Sequence, residues 1–385
     1  MTFINNWGDM MSMENWKSLQ ICKMAILVVV ASAFAWPLPA AEPNGKSTSA
    51  QPPRKVIVGT VMQPFWGKQP SLETRLGQLT VLVDRMQAQA QKQYGRGLDL
   101  AVLPEVAITG QGEDVGEVWQ WSYPLEGPIQ NTFAKKARAC HCYIVVPTYL
   151  REDPATKRCS NAAILFGRRG EVVGIYRKVQ LVVDLHTGAL EHGATPGKEV
   201  PVFDCDFGKL GIQICYDMDF EYTWQELARQ GAELVVWPSQ SPQTARPAHR
   251  AIAGHCYIVS STWQNNASVF DPVGKIIAQV KWDPSWGNPR ELGGLVENNT
   301  LVQEIDLAYA IISYSRALKN GALFTKTFGD RAGFHYYMDD ERGVFWSNDP
   351  NLTVRQMLRS LNLKEEQEEH QLVSERYHQV GVPGY

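Results

Sequence analysis

Excess charge of either sign is what this sequence has least of. Its 37 Lys and Arg stand against 40 Asp and Glu, a formal net charge of −3, and no dense basic patch interrupts the balance. That argues against a chain built to hold nucleic acid or an anionic membrane surface by electrostatics. Cysteine is sparse too. Seven cysteines without framework spacing do not make a disulfide scaffold. The apolar run Met24 to Trp36 falls short of the ~20 residues that a comfortable membrane span needs.

What is present is an ordinary globular composition, 44% hydrophobic and 20% charged over 385 residues. That suffices for one large α/β domain with a full core. Residues 1–41 read as a secretory signal peptide or, if uncleaved, an N-terminal anchor. Lys17 and Lys23 precede the apolar run, and Ala33-Phe34-Ala35 and Leu38-Pro39-Ala40 offer small-residue cleavage sites. The expected location is therefore periplasmic or extracellular after cleavage, and membrane-anchored otherwise. Residues 42–54, rich in Pro, Ser and Gly, read as a disordered linker. Export would permit a disulfide among Cys140, Cys142, Cys159, Cys205 and Cys256, though no spacing identifies a pair.

From Lys55 the elements alternate. KVIVGTVM is a strand, and Ser71 caps a helix to Tyr94 with Leu72, Leu76, Leu79, Leu82, Val83 and Met86 on one face. Leu98–Leu103 is a strand, Pro128–Ala139 a helix, Tyr143–Val146 a strand, and Asn161–Lys178 a hairpin about Gly167-Arg168-Arg169-Gly170. The same order recurs from Val200, with strands ending at Phe203, Ile214, Trp237 and Ser261 and helices from Phe220 and Pro247. A second hairpin turns at Asp271-Pro272-Val273-Gly274, and Leu301–Ile305 is a last strand. Two successive halves of this kind predict one α/β domain with an internal pseudo-repeat, two sheets in the middle and helices outside. Residues 308–385 read as a C-terminal extension, with a charged helix or tail over Lys364–His378.

Three polar residues end apolar runs: Glu105 in LDLAVLPE, Lys178 in GEVVGIYRK and Cys215 in KLGIQIC. Each is costly to bury alone, but the three can pair. A buried carboxylate beside a thiol can take its proton. A lysine held there can donate to an oxygen that turns negative when sulfur attacks a carbonyl or nitrile carbon. Cys215 stands where a strand hands over to a helix, a position that favours the thiolate. Spacing alone leaves open that the three are unrelated strand-end residues facing solvent.

PEVAITG, YRKVQL and GIQICYDMDF, in this order with GALEHGATPG, LARQGAELVVWPS, RAIAGHCYIV and VFDPVGKII, resemble the nitrilase superfamily of carbon–nitrogen hydrolases. The resemblance runs from about residue 55 to residue 307. It implies a four-layer αββα sandwich, with Glu105 as general base, Lys178 as oxyanion-stabilising lysine and Cys215 as nucleophile. It further implies that Glu191 hydrogen-bonds the lysine and helps place substrate, and that the Tyr216 N–H is a second oxyanion donor. The Tyr216 ring is equally well plain pocket wall. The implied reaction is hydrolysis of a non-peptide C–N bond in a small amide or N-carbamoyl compound through a thioester, without metal or organic cofactor. Tyr216-Asp217 after the cysteine, where nitrilases tend to carry Trp-Glu, is similar to the amidase and carbamoylase branches. Pairing into a homo-oligomer through helices of the sandwich is implied as well.

The sequence departs from that pattern in two places. Phe220-Glu221-Tyr222 and Gln225 replace a Phe-Pro-Glu segment with a following arginine, so a salt bridge expected within that helix is missing. Arg250-Ala251 is not followed by an acidic residue. Three rival readings are nitrile hydrolysis by the same residues, a thiol hydrolase pairing Cys215 with His186, His192 or His255, and a catalytically inactive binding protein of this fold. Cys140-His141-Cys142 abuts an apolar strand without partners at ligand spacing, which points to core packing. Trp119, Trp121, Trp282 and Trp286 fall in loops, where they would line a pocket or a subunit contact.

Overall fold

A computed structural model describes residues 53–111, 117–292, 294–313 and 321–383. The signal segment expected over residues 1–41 and most of the linker, 42–52, lie outside these. No helix among the described residues is long and apolar enough to cross a membrane.

In the first half, β1 (Lys55–Val61), α1 (Leu72–Tyr94), β2 (Leu100–Val102), α2 (Pro128–Cys140), β3 (Tyr143–Asp153), β4 (Arg158–Phe166) and β5 (Val172–Arg177) follow in order. The second half repeats them after an extra edge strand: β6 (Val202–Cys205), β7 (Gly208–Ile212), α3 (Glu221–Arg229), β8 (Leu234–Pro238), α4 (Ala245–Gly254), β9 (Tyr257–Ser261), β10 (Asn266–Phe270) and β11 (Ile276–Lys281). β12 (Thr300–Asp306) then returns to pair antiparallel with β1. The two six-stranded sheets have orders β12-β1-β2-β3-β4-β5 and β11-β10-β9-β8-β7-β6. Each is a parallel trio, β1-β2-β3 or β7-β8-β9, extended by one hairpin and closed by one antiparallel edge strand. The pseudo-repeat expected from the sequence is thus a repeat of topology.

Alternation along each strand builds the layers, because successive side chains point to opposite faces. Val56 and Val58 face the second sheet and pack with Ile212, Ile214, Val236 and Val259, while Ile57 and Val61 face α1 and α2. Val235, Ile258 and Phe270 face α3 and α4 instead. The result is the four-layer αββα sandwich. Helix α1 begins where the sequence places it. The Ser71 side chain accepts from the Thr74 N–H at 3.2 Å, a cap that stabilises by about 1 kcal/mol. The sheets are stitched at the ends of their parallel strands, where the single Ser261 hydroxyl proton is shared between the Val61 carbonyl at 2.9 Å and the Val102 carbonyl at 3.1 Å.

Two segments are more structured than the sequence suggests. Arg54, read as the last linker residue, anchors the fold: it pairs with Glu233 at 2.6 Å and donates to the Leu307 carbonyl at 2.7 Å. The C-terminal segment is a small folded unit. β13 (Ala310–Ser313), α5 (Ala322–Phe328), β14 (Ala332–Tyr337) and β15 (Arg342–Ser347) form a sheet ordered β13-β15-β14 with one helix, followed by α6 (Val354–Ser360) and α7 (Glu366–Gln379). Phe324, Phe345, Val354, Met357 and Leu358 make its core. Tyr337 donates to Asp271 at 2.6 Å, which fastens it to the turn of the β10–β11 hairpin. The unit's aromatic residues supply much of its packing, with Phe328, Phe334 and Tyr336 against the same core.

Candidate active site

Glu105, Lys178 and Cys215 lie far apart in the chain yet line one cleft of about 780 Å³, together with Glu191, Tyr149, His192 and Gln240. The topology brings them there. Glu105 follows β2, Lys178 follows β5 and Cys215 lies just beyond β7, all at ends where an α/β sheet places its ligands. Both turns are strained: Cys215 and Val106, the residue after Glu105, each have φ of +44°. A β-branched residue with positive φ is a real outlier, and such backbone persists only where its surroundings over-determine it. Here two indoles do so. Trp263 Nε1 donates to the Glu105 carbonyl at 2.9 Å, and Trp237 Nε1 to the Cys215 carbonyl at 3.0 Å.

Lys178 is 1% exposed and is held between two carboxylates. Its Nζ donates to Glu105 Oε1 at 3.0 Å and to Glu191 Oε2 at 2.8 Å. Burial pulls the ammonium down, but Glu105, the Cys215 sulfur and Glu191 outweigh it and hold its pKa well above the ordinary lysine value. Two of its three N–H bonds are engaged, which leaves one for an incoming oxygen. Gly197 lies against the end of this strand, its N–H donating to the Lys178 carbonyl at 2.8 Å, where a Cβ would stand 2.2 Å from the Arg177 carbonyl.

The two glutamates differ in how fully they are used. Glu191 accepts four hydrogen bonds, from Tyr149 Oη at 2.9 Å, Asn161 Nδ2 at 2.7 Å, Lys178 Nζ and the Val182 N–H at 3.2 Å. Burial works against its ionisation, yet Lys178 and Asn161 hold its pKa below the ordinary glutamate value. Glu105 accepts three, from Lys178, from Asn161 Nδ2 at 2.8 Å and from the Gln240 N–H at 3.0 Å. A carboxylate has about four acceptor sites. Glu191 is therefore filled, whereas Glu105 keeps one site, on Oε2, for a proton.

Cys215 opens a five-residue 3-10 turn, Cys215–Asp219, not a long helix. Burial, then the charge of Glu105, push its thiol up to about 12, against the pull of Lys178 and the Ser239 hydroxyl. The thiolate expected from a helix N-terminus is outweighed, and at neutral pH the sulfur carries its proton. The Tyr216 N–H lies in the first turn, where N–H groups have no intrahelical acceptor. The Tyr216 ring is 37% exposed and packs edge-on against Phe220, 5.2 Å between centroids.

A family model for carbon–nitrogen hydrolases matches residues 60–310, well over half of the chain. The chain belongs to the carbon–nitrogen hydrolase family. It is 29% identical over 214 residues to human deaminated glutathione amidase, an alignment covering 49% of this chain and 65% of that protein. It is 25% identical over 218 residues to zebrafish omega-amidase NIT2, covering 51% and 77%. Among solved structures, Saccharomyces cerevisiae Nit3 of the nitrilase superfamily superposes with a TM-score of 0.52 at 22% identity, over 67% of this chain and 91% of that one. The last likeness concerns the fold alone.

In this carbon–nitrogen hydrolase α3 carries an intrahelical salt bridge after all, Glu226 with Arg229 at 2.7 Å, and Glu221 pairs across helices with Arg250 of α4 at 3.3 Å. His192 lines the cleft with its ring against Trp121, 5.9 Å between centroids, and burial holds its pKa below the ordinary histidine value. His186 is exposed in the same loop, and His255 caps α4 beside Gln367 of α7. Trp121 packs edge-on against Tyr149, and Trp282 edge-on against Trp286. Cys140 and Cys142 are core residues, the six described cysteines are free, and no cluster among the described residues could hold a metal.

Sequence reasoning passed over four residues of this site. Asn161 bridges both glutamates, and Tyr149 supports Glu191. Asp217 ties the cysteine turn to the lysine strand, accepting from Ile214 N at 2.9 Å, Gln180 N at 2.8 Å and Tyr176 Oη at 2.7 Å. Ser239 hydrogen-bonds the sulfur. The one signal was polarity inside apolar strands, which Asn161 in SNAAILF does carry.

Proposed function

We propose that this protein hydrolyses the C–N bond of small amides through a thioester on Cys215, with Glu105 as the proton carrier and Lys178 and the Tyr216 N–H holding the oxyanion. The observation that carries this reading is the unequal use of the two glutamates. Lys178 is clamped by both, but only Glu105 retains an acceptor site beside a thiol that is protonated at rest. Proton transfer must therefore accompany attack. The sulfur proton passes to Glu105, an S–C bond forms, and the carbonyl oxygen becomes an anion facing the remaining Lys178 N–H. Collapse breaks the C–N bond as Glu105 returns the proton to nitrogen, and ammonia or an amine leaves. Glu105 then takes a proton from water, whose oxygen attacks the thioester, and gives it back to the sulfur.

Glu191, being filled, positions Lys178 without entering proton transfer. N-carbamoyl compounds share the electrophile and belong to the same reading. Export through the N-terminal segment and pairing through helices of the sandwich are part of it as well. N-terminal sequencing of the mature protein and sedimentation check these two. The test of the chemistry is a comparison of Glu105→Gln with Glu191→Gln on a primary amide. Glu105→Gln should lose roughly 10²–10⁴-fold in kcat, the usual share of a positioned acid–base group. Glu191→Gln should lose less and should change KM. Equal losses in kcat would refute the assignment.

A further inference from the structure

The cleft is deeper than the chemistry at its floor requires, and its outer wall is charged. About 780 Å³ leaves room for a chain of several atoms beyond the scissile amide. At the mouth stand two exposed carboxylates, Glu117 and Asp184. The Asp184 side chain accepts from the His186 N–H at 2.8 Å and the Thr187 N–H at 3.1 Å, which holds its pKa below the ordinary range. Among the described residues lining the cleft, Lys178 is the only Lys or Arg, and its charge faces Glu105 and Glu191. Burial disfavours the charged form of His192. Arg151, behind the wall, lies 4.6 Å from the Trp119 ring centroid and donates to the Trp119 carbonyl.

Four carboxylates thus face one ammonium across walls that include Val182, Ala189 and Leu190. A cleft whose lining carries an excess of one sign of charge, with apolar walls, focuses its field on what enters. We infer that the substrate of this site carries an ammonium or similar cationic group at the end remote from its amide, and that a carboxylate there is rejected. This rests on the amidase reading for the identity of the scissile bond. The site itself is marked by Cys215 and its partners; the mouth carboxylates decide only which tail it admits.

The experiment uses three five-carbon primary amides that differ at the far end: pentanamide, 5-aminopentanamide and glutaramate. For the full-length protein, kcat/KM should fall in the order ammonium, methyl, carboxylate, with roughly tenfold between first and last at low salt and less at high salt. In the double variant Glu117→Gln, Asp184→Asn the ammonium-to-carboxylate ratio should approach one. Asn also supports the turn that Asp184 makes, so the loop is preserved. A carboxylate substrate as good as the ammonium one, or a ratio unmoved by the double variant, overturns the inference and leaves the amidase reading intact. If none of the three is turned over, the amidase reading fails, and calorimetric binding to Cys215→Ala decides the inference separately. Ammonium-first binding upholds it; carboxylate-first or absent binding overturns it.

Discussion

The two halves of the sandwich share a topology and differ in what they place at the same corners. Each half ends its hairpin on a lysine, Lys178 after β5 and Lys281 at the end of β11. One is 1% exposed between two carboxylates, and the other is a surface residue. After β2 stands Glu105, with a vacant acceptor site. After β8 stand Ser239 and Gln240, which serve that glutamate and the sulfur. Beyond β7 lies Cys215; beyond β1 lies Gln63, whose amide bonds Pro64, Gly294, Val296 and Asn299. The repeat supplies the frame, and chemistry arises where the halves are unlike. A polar residue at a strand end becomes functional when the opposite half brings it a partner.

That contrast can be broken experimentally. The largest effect is expected for the lysine pair. Lys178→Met leaves two carboxylates facing each other in a buried site and should cost about 3–5 kcal/mol of stability along with measurable turnover. Lys281→Met should leave both within experimental error. Equal losses in the two variants, by chemical denaturation and amide turnover, would mean that the halves are functionally alike.

A smaller effect concerns the seam. Arg54→Ala removes the pair with Glu233 and the bond to the Leu307 carbonyl, and should lower stability by about 1–3 kcal/mol without changing KM. An unchanged denaturation midpoint would return Arg54 to the linker.

The smallest is a pH effect at Asp217, which joins the halves. Burial raises its folded-state pKa from 3.8 to about 6, so the folded protein binds the proton more tightly than the unfolded chain. Its contribution is fully present below the unfolded value and is lost as pH rises through the folded one. Stability should therefore contain a component that declines between about pH 4 and 6. Asp217→Asn should lack that slope whatever its absolute stability. A slope that survives in the variant belongs to another group.

The frame was largely legible because its signals are local. Strand alternation, the Ser71 cap and the two glycine-closed hairpins each act within a few residues. The ends of apolar runs also pointed to Glu105, Lys178 and Cys215, since a charge there needs a partner. The network around them was not legible, because Asn161 meets Glu105 across 56 positions and Glu191 across 30. Asp217 stood out only as the second residue of Tyr216-Asp217, while its carboxylate joins the cysteine turn to the end of the lysine strand. What holds the proton on Cys215 until Glu105 takes it, burial and the charge of Glu105 outweighing the short turn, is a property of the assembled site. The C-terminal extension was delimited but its internal fold was not legible for a related reason: its aromatics, such as Phe334 stacked 5.3 Å from Phe345, pair across strands, without the periodicity that marks the sandwich.

The central claim is that a protonated Cys215 is acylated with the help of Glu105. It is tested most directly by the mass of the peptide bearing Cys215 after rapid acid quench of the protein with an excess of a primary amide. The account predicts a gain equal to the amide minus ammonia in the wild-type protein and none in Glu105→Gln on the same timescale. An adduct that forms equally fast in Glu105→Gln, or amide turnover that persists in Cys215→Ala, would contradict it.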